Sequence, residues 1–364
     1  DHLDPRGVLD PDVYRMIGAV YGEAAVKEPF IDGARPVADI ALLSSIAVRE
    51  PGAIRREARH IPEDEGAVRI LQQGHILYDV VDAASDLSPY RLVILPDRVR
   101  LGPALAQKLD AYVEAGGSLL LTGESGLLGE TNDFAFDLGA TFEGRSPFSP
   151  TYIRPEAPLR PDFVDGPFLM FSKSYRVKPG GATVLGEIYE PYFNRSPRAF
   201  NGHIFAPPRP EPSPWPSGVR RGRITYLAHP VFGLYHQYGH VMVKQYVLKA
   251  IAAILGGARR LETDLPSTAA VTLRRRGDAD LLQIVYAPRE LRGSSVMGTL
   301  EVIEDLPELR DVKVALRVDG TVMAVRREPD GVALPFTWSD GTVRFAIDRV
   351  QGHTLVVVER AATP

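Results

Sequence analysis

One uninterrupted stretch, residues 91–128 (RLVILPDRVRLGPALAQKLDAYVEAGGSLLLTGESGLL), restricts the fold more than any other, because it reads as a whole strand–helix–strand unit closed by a glycine-rich turn. Residues 91–95 are a short apolar run of the kind buried on both faces of a parallel sheet, and Pro96-Asp97 stops it. Pro103 opens a helix whose Leu105, Leu109, Tyr112 and Val113 fall at helical spacing. Gly116-Gly117 ends that helix through the left-handed conformation that glycine adopts most cheaply. Residues 119–122 are the next buried strand. The turn after it, Gly123-Glu124-Ser125-Gly126, lies beyond a strand's carboxyl end, where open α/β sheets place their ligands.

The flanking sequence extends the same pattern. Asp10-Pro11 is a helix start, and Val13, Met16, Ile17, Val20, Tyr21 and Ala24 keep one face of that helix apolar, so it needs something to pack on. Residues 37–43 read as the first strand of the sheet. Pro62-Glu63-Asp64-Glu65 places carboxylates in the first turn of a helix through Val68 and Leu71, read as dipole complementarity on a solvated surface. Residues 77–81 form a further strand, with Asp86-Leu87-Ser88-Pro89 as turn punctuation. Residues 37–122 therefore predict an α/β fold with a doubly wound, mostly parallel sheet.

Beyond the turn, residues 168–171 and 183–188 are strand-like. The segment from Glu190 to Gly218, EPYFNRSPRAFNGHIFAPPRPEPSPWPSG, is too rich in proline for a central strand or helix, and a long aromatic loop of that sort is more often functional than idle. A strand at 223–227 ends in His229-Pro230, and a helix at 240–255 turns Val243, Val247 and Ile251 inward. From Pro266 the period becomes two, as in Val312, Val314, Leu316 and Val318, with Asp319-Gly320 and Asp340-Gly341 as hairpin signals. An antiparallel β-sandwich of about eight short strands is expected there. The resulting division is a connecting helix at 1–35, an α/β domain at 36–262 and a sandwich at 263–364.

Composition removes several classes of function. The chain of 364 residues contains no cysteine, which excludes disulfides, thiolate metal sites and cysteine nucleophiles. A net charge of −4 gives no reason to expect nucleic acid or an anionic membrane as partner, and Arg274–Arg276 reads as a solvated strand edge. No apolar run approaches the ~18 residues of a membrane span. The opening Asp1-His2-Leu3-Asp4-Pro5 resembles interior sequence, so the 364 residues are expected to be the later part of a longer polypeptide.

Three constellations are candidates for chemistry. Ser125, with Glu124 beside it, could act with His229 as nucleophile and base, but Gly123-x-Ser125-x-Leu127 lacks the closing glycine of an esterase elbow. His236 and His240, at i and i+4, could face one side of a helix; without an adjacent glutamate or third ligand they are read as ordinary histidines, and no metal or cofactor is expected. In the 190–203 loop, Tyr192, Asn194, Arg195 and His203 combine an aromatic face with multivalent hydrogen-bonding groups suited to a hydroxyl-rich ligand.

The succession of a helix, a sheet carrying LVILPD, AYVEAGGSLLLTGESG and HPV, and a terminal sandwich resembles the portion of family 42-like glycoside hydrolases that follows their catalytic (β/α)8 barrel. That portion contains the β-galactosidase trimerisation domain, a class I glutamine amidotransferase-like fold without amidotransferase activity. The first 43 residues resemble the exit from the barrel, and EPYFNR and SPFSPTYIRP resemble a related glycosidase-like group. Amidotransferases of the class carry His-Pro-Glu where this chain has His229-Pro230-Val231, so the acid that would orient the histidine is missing. The resemblance implies a non-catalytic accessory half with no catalytic residue of its own. Its partners would be further copies of itself, in a trimer or another closed homo-oligomer, and the missing barrel. Carbohydrate is the alternative ligand, and a serine hydrolase using Ser125 and His229 the more distant one.

Overall fold

The computed structural model describes residues 6–49, 61–129, 131–295 and 298–361. The chain forms two compact units, Ala38–Arg259 and, from both ends of the sequence, Asp1–Val37 with Arg260–Pro364. The opening helix thus groups with the C-terminal strands instead of standing alone at 1–35.

The core of the first unit is a seven-stranded mixed sheet in the order Thr183–Val184, Gly218–Arg221, Ile224–Leu227, Ser118–Thr122, Leu92–Leu95, Ile40–Leu43, Tyr78–Val81. The last five run parallel, and the first two are added antiparallel. Residues 40–43, 92–95, 118–122 and 224–227 are buried throughout, which is why they read as continuous apolar runs and not as alternation. Each such leucine or isoleucine contributes about 2 kcal/mol of burial.

Among the described residues five α-helices accompany this sheet: α2 (Ser45–Arg49), α3 (Pro62–Gln73), α4 (Pro103–Glu114), α5 (Val231–Tyr238) and α6 (Val241–Ile254). A Cβ added to Gly66 of α3 would stand 1.9 Å from the carbonyl oxygen of Phe232, so glycine sets how closely α3 meets α5. At the end of α4, Gly116 takes φ +99°. Gly117 is required for another reason: the Tyr112 ring lies against its Cα, 2.1 Å from where a Cβ would be. The 183–188 segment divides at Leu185, since Thr183–Val184 joins the large sheet while Gly186–Tyr189 pairs with Tyr152–Pro155 in a three-stranded one.

The second unit opens with α1 (Pro11–Ile31), capped by Asp10, whose Oδ1 accepts from the N–H groups of Asp12 and Val13. None of its residues is buried, and Met16, Val20 and Tyr21 are exposed. The unit's described residues then form two antiparallel sheets, one of six strands and one of four, with a separate hairpin of Glu290–Ser295 and Gly298–Val302; these are more strands than the eight or so expected. Asp340-Gly341, both at positive φ, closes a two-residue hairpin between Phe336–Ser339 and Thr342–Val350. Asp319-Gly320 does not close a hairpin: the strands it joins, Leu309–Arg317 and Val322–Glu328, belong to different sheets.

Arg274–Arg276 corrects the reading of a solvated edge. The six-stranded sheet pairs Arg35–Pro36 with Arg274 and Arg275, and the Arg274 guanidinium donates twice to the carbonyl of Ala34. Arg275 pairs at 2.7 Å with the fully buried Asp280, which Arg360 approaches at 3.1 Å.

Candidate functional site

The carboxyl ends of the parallel strands are where sequence placed the chemistry. Gly123 (φ +62°) and Gly126 (φ +85°) turn the chain tightly after Ser118–Thr122. A Cβ on Gly123 would stand 2.7 Å from the carbonyl oxygen of Asp97, which accepts the Glu124 N–H at 2.7 Å. The strain falls on glycine and on Asp97 (φ +39°), not on Ser125, so this is not the elbow that lifts a nucleophile into solvent.

Ser125 is fully buried, and its Oγ accepts the Val99 N–H at 3.0 Å. His229 is also buried, with Nε2 2.8 Å from Thr151 Oγ1 and Nδ1 without a hydrogen-bond partner. Burial pushes its pKa down to about 3, so the ring stays neutral. No hydrogen bond joins Ser125 to His229. Val231 is buried at the first turn of α5 and supplies no acid. Nucleophile, base and orienting acid are therefore each missing from their working relation.

Glu124 does gather partners. One carboxylate oxygen accepts from Tyr175 Oη at 3.1 Å, the other from Arg100 Nε at 3.3 Å, and Arg145 lies 3.8 Å away while also donating to Tyr175 Oη. Burial first, and then the Glu124 charge, push the Tyr175 hydroxyl up to about 12. These groups bind one another, which fixes the turn.

Sequence reasoning missed the carboxylate at the centre of this end of the sheet. Asp97 is buried; Thr122 donates to its Oδ1 at 2.7 Å, and the N–H groups of Phe232 and Gly233 donate at 3.4 and 2.7 Å. Desolvation pushes its pKa up to about 7 despite those donors. Asp97 thus tethers the start of α5 to two strand ends. The acidic turn of α3 is also not the solvated feature expected: Glu63 is buried and accepts from Ser45 Oγ, while Asp64 accepts from Ser44 Oγ and the Ser45 N–H. The visible signals were the LPD after one strand and the paired serines after another.

His236 and His240 do not share a helix. Gly239 (φ +59°) ends α5, and His240 precedes α6, its ring edge-on to Phe171, while His236 Nδ1 lies 3.2 Å from Glu65. Among the described residues no cluster of three metal-ligating side chains occurs.

In the proline-rich loop, Asn194 accepts the Ser149 N–H at 2.8 Å and donates to Pro147 O at 2.9 Å. Arg195 donates to the carbonyls of Asn201 and His203. Both side chains therefore hold the loop, whereas Tyr192 and His203 point outward to solvent exposure. An expected common face for Tyr192, Arg195, Asp1 and His2 involves Asp1 and His2, which lie outside the described residues.

Comparison with known proteins shows what the chain is similar to. Residues 68–139 match the β-galactosidase trimerisation domain. The β-galactosidase BglY of Alicyclobacillus acidocaldarius is 31% identical over 139 residues, 37% of this chain and 20% of that protein. The structure of α-L-fucosidase isoenzyme 2 from Paenibacillus thiaminolyticus superposes with a TM-score of 0.90 at 33% identity, covering 99% of this chain and 54% of that one. A β-galactosidase from Bacillus circulans sp. alkalophilus shares the fold with a TM-score of 0.59 at 16% identity, over 99% of this chain and 46% of its own. The chain spans about half the length of these two solved structures and a fifth of BglY.

Proposed function

From the premise that this chain carries a β-galactosidase trimerisation domain and is similar to part of larger glycoside hydrolases, we propose that it is their non-catalytic accessory and oligomerisation region. On this reading the mixed sheet is a doubly wound amidotransferase-like scaffold that holds subunits together and covers the rim of a carbohydrate-cleaving barrel. The observation that carries it is the state of the two candidate reacting groups: Ser125 Oγ is occupied by the Val99 N–H, and His229 Nε2 by Thr151, each inside the core. The uncovered apolar stripe of α1 supports docking against such a barrel.

The test is hydrolysis by this chain alone, using nitrophenyl galactosides, fucosides and short-chain esters. No turnover above buffer is expected. An activity that copurifies with the chain and disappears in Ser125→Ala overturns the proposal.

A second reading is direct carbohydrate binding through the 190–203 loop, favoured by Tyr192, whose surface is 54% exposed. Retention on immobilised polysaccharide that is lost in Tyr192→Ala would select it.

A further inference from the structure

At the amino ends of the parallel strands, away from the Gly123 turn, a cavity of about 370 Å³ opens within the unit Ala38–Arg259. That volume is in the range of small-molecule sites. Its position follows from strand register. Leu92 pairs with Ser118 and Leu119 with Ile224, so Arg91 and Arg223 stand at the ends of the two strands that flank Ser118. The Ser118 N–H donates to Arg91 O at 3.1 Å and the Leu119 N–H to Arg223 O at 3.0 Å. These bonds fix both arginine backbones, about 10 Å apart at the usual strand spacing. Tyr112 near the end of α4, and Ile254 and Leu255 at the end of α6, supply an apolar wall.

The polar groups around this space divide into those already bonded and those left open. Arg91 is anchored, its Nη1 donating to Ala258 O at 2.5 Å and its Nη2 to Leu255 O at 3.0 Å. Those bonds also cover the end of α6, whose negative dipole end would otherwise repel an anion. Tyr112 Oη donates to Tyr90 O at 3.1 Å, and burial pushes that hydroxyl up to about 12, so it adds no negative charge. Arg223, by contrast, is exposed, and neither its guanidinium nor the Ser118 hydroxyl has a hydrogen-bond partner among the described residues. Ser118 is only 6% exposed, and a side chain so far buried ordinarily has its hydroxyl bonded. No aspartate or glutamate lines the cavity, although acidic side chains outnumber basic ones in the chain by 46 to 42.

Two guanidiniums and an open hydroxyl thus share a space with no negative group to meet them. A guanidinium is a planar fork that matches a carboxylate with two parallel hydrogen bonds. Inorganic phosphate would satisfy the same donors but leave the apolar wall in water. We propose that this cavity binds a small carboxylate carrying an apolar or aromatic body, with Arg223 and Ser118 as its donors and Arg91 as the second positive charge. The assignment is independent of the accessory reading above, since it uses neither self-association nor the carboxyl end of the sheet.

The experiment is calorimetric titration of the full chain with sodium benzoate, with benzyl alcohol as its neutral counterpart, and with inorganic phosphate. A probe of benzoate's size is expected to bind with a Kd of about 1 mM, and the other two about tenfold more weakly. Arg223→Gln should weaken benzoate about tenfold, whereas Arg198→Gln, at an exposed arginine of the proline-rich loop, should leave it unchanged. Urea midpoints equal to wild type verify that both variants are folded. Absence of saturable benzoate binding at about 20 mM overturns the proposal, as does binding that Arg223→Gln retains in full. Equal losses in the two variants would reveal unspecific charge attraction and overturn it as well. Phosphate binding as tightly as benzoate overturns the apolar body, and benzyl alcohol binding as tightly overturns the need for an anion.

Discussion

Asp97 and His229 are buried ionisable groups that pull stability in opposite directions. The Asp97 carboxylate accepts two backbone N–H groups and the Thr122 hydroxyl. Burial raises its folded pKa to about 7 from the usual 3.8, so the stability that depends on the protonated acid is complete below pH 3.8 and is lost as pH rises through 7. Asp97→Asn removes that dependence, and relative to wild type it should gain about 1.4 kcal/mol per pH unit as pH rises from 4 to 7, read from parallel urea melts. For His229 the folded pKa of about 3 lies below the usual 6.5. The unfolded chain therefore binds the extra proton between those values, and the stability that depends on a neutral ring is complete above pH 6.5 and is lost as pH falls toward 3. His229→Leu removes this linkage. Relative to wild type, the variant should gain about 1.4 kcal/mol per pH unit between pH 6 and 4, read as a slope from parallel denaturant melts. Parallel pH profiles would show that burial does not hold the ring neutral. At this scale the sequence was a poor guide. It shows that His229, Ser125 and Asp97 sit at strand ends, but which of them face the core depends on side-chain contacts between segments 25 to 136 residues apart.

Elements were easier to read. Continuous apolar runs identified the central strands because a sheet covered on both faces needs no alternation, and proline and glycine marked both ends of α4. What the pattern could not supply was the reason for particular glycines. Gly66 lies inside α3, where propensity alone would favour alanine, and it is there because the Phe232 carbonyl occupies the space of a side chain. Gly66→Ala is expected to destabilise the protein by about 3 kcal/mol, since backbone must move to admit the methyl group. A melting temperature unchanged from wild type would show that α3 and α5 can separate freely. The aspartate–glycine turns show the same limit. Asp319-Gly320 and Asp340-Gly341 look alike in sequence, but only the second closes a hairpin, because pairing is decided by which strands share a sheet and not by the turn itself.

On the scale of the whole molecule, the contiguous unit Ala38–Arg259 contains a large apolar core drawn from residues 40–255 alone. A polypeptide of residues 38–259 should therefore unfold cooperatively, with a single transition by both circular dichroism and tryptophan fluorescence from Trp215. Noncoincident transitions would mean that the unit depends on the remainder of the chain. The change from helical to two-residue periodicity near Pro266 lies close in sequence to Arg260, where the second unit resumes. The earlier one was harder to see, because nothing local in Arg35–Pro36 reveals that its pairing partner is Arg274–Arg275.

That pairing has a temporal consequence. On a ribosome Arg35 and Pro36 emerge more than two hundred residues before the strand they join. Meanwhile the intervening unit can complete its own fold, so the first strand must wait until Arg274 and Arg275 have been translated. The order of synthesis thus favours nested closure: the unit in the middle of the sequence sets first, and the unit that brackets it in sequence is completed later with a segment made before it.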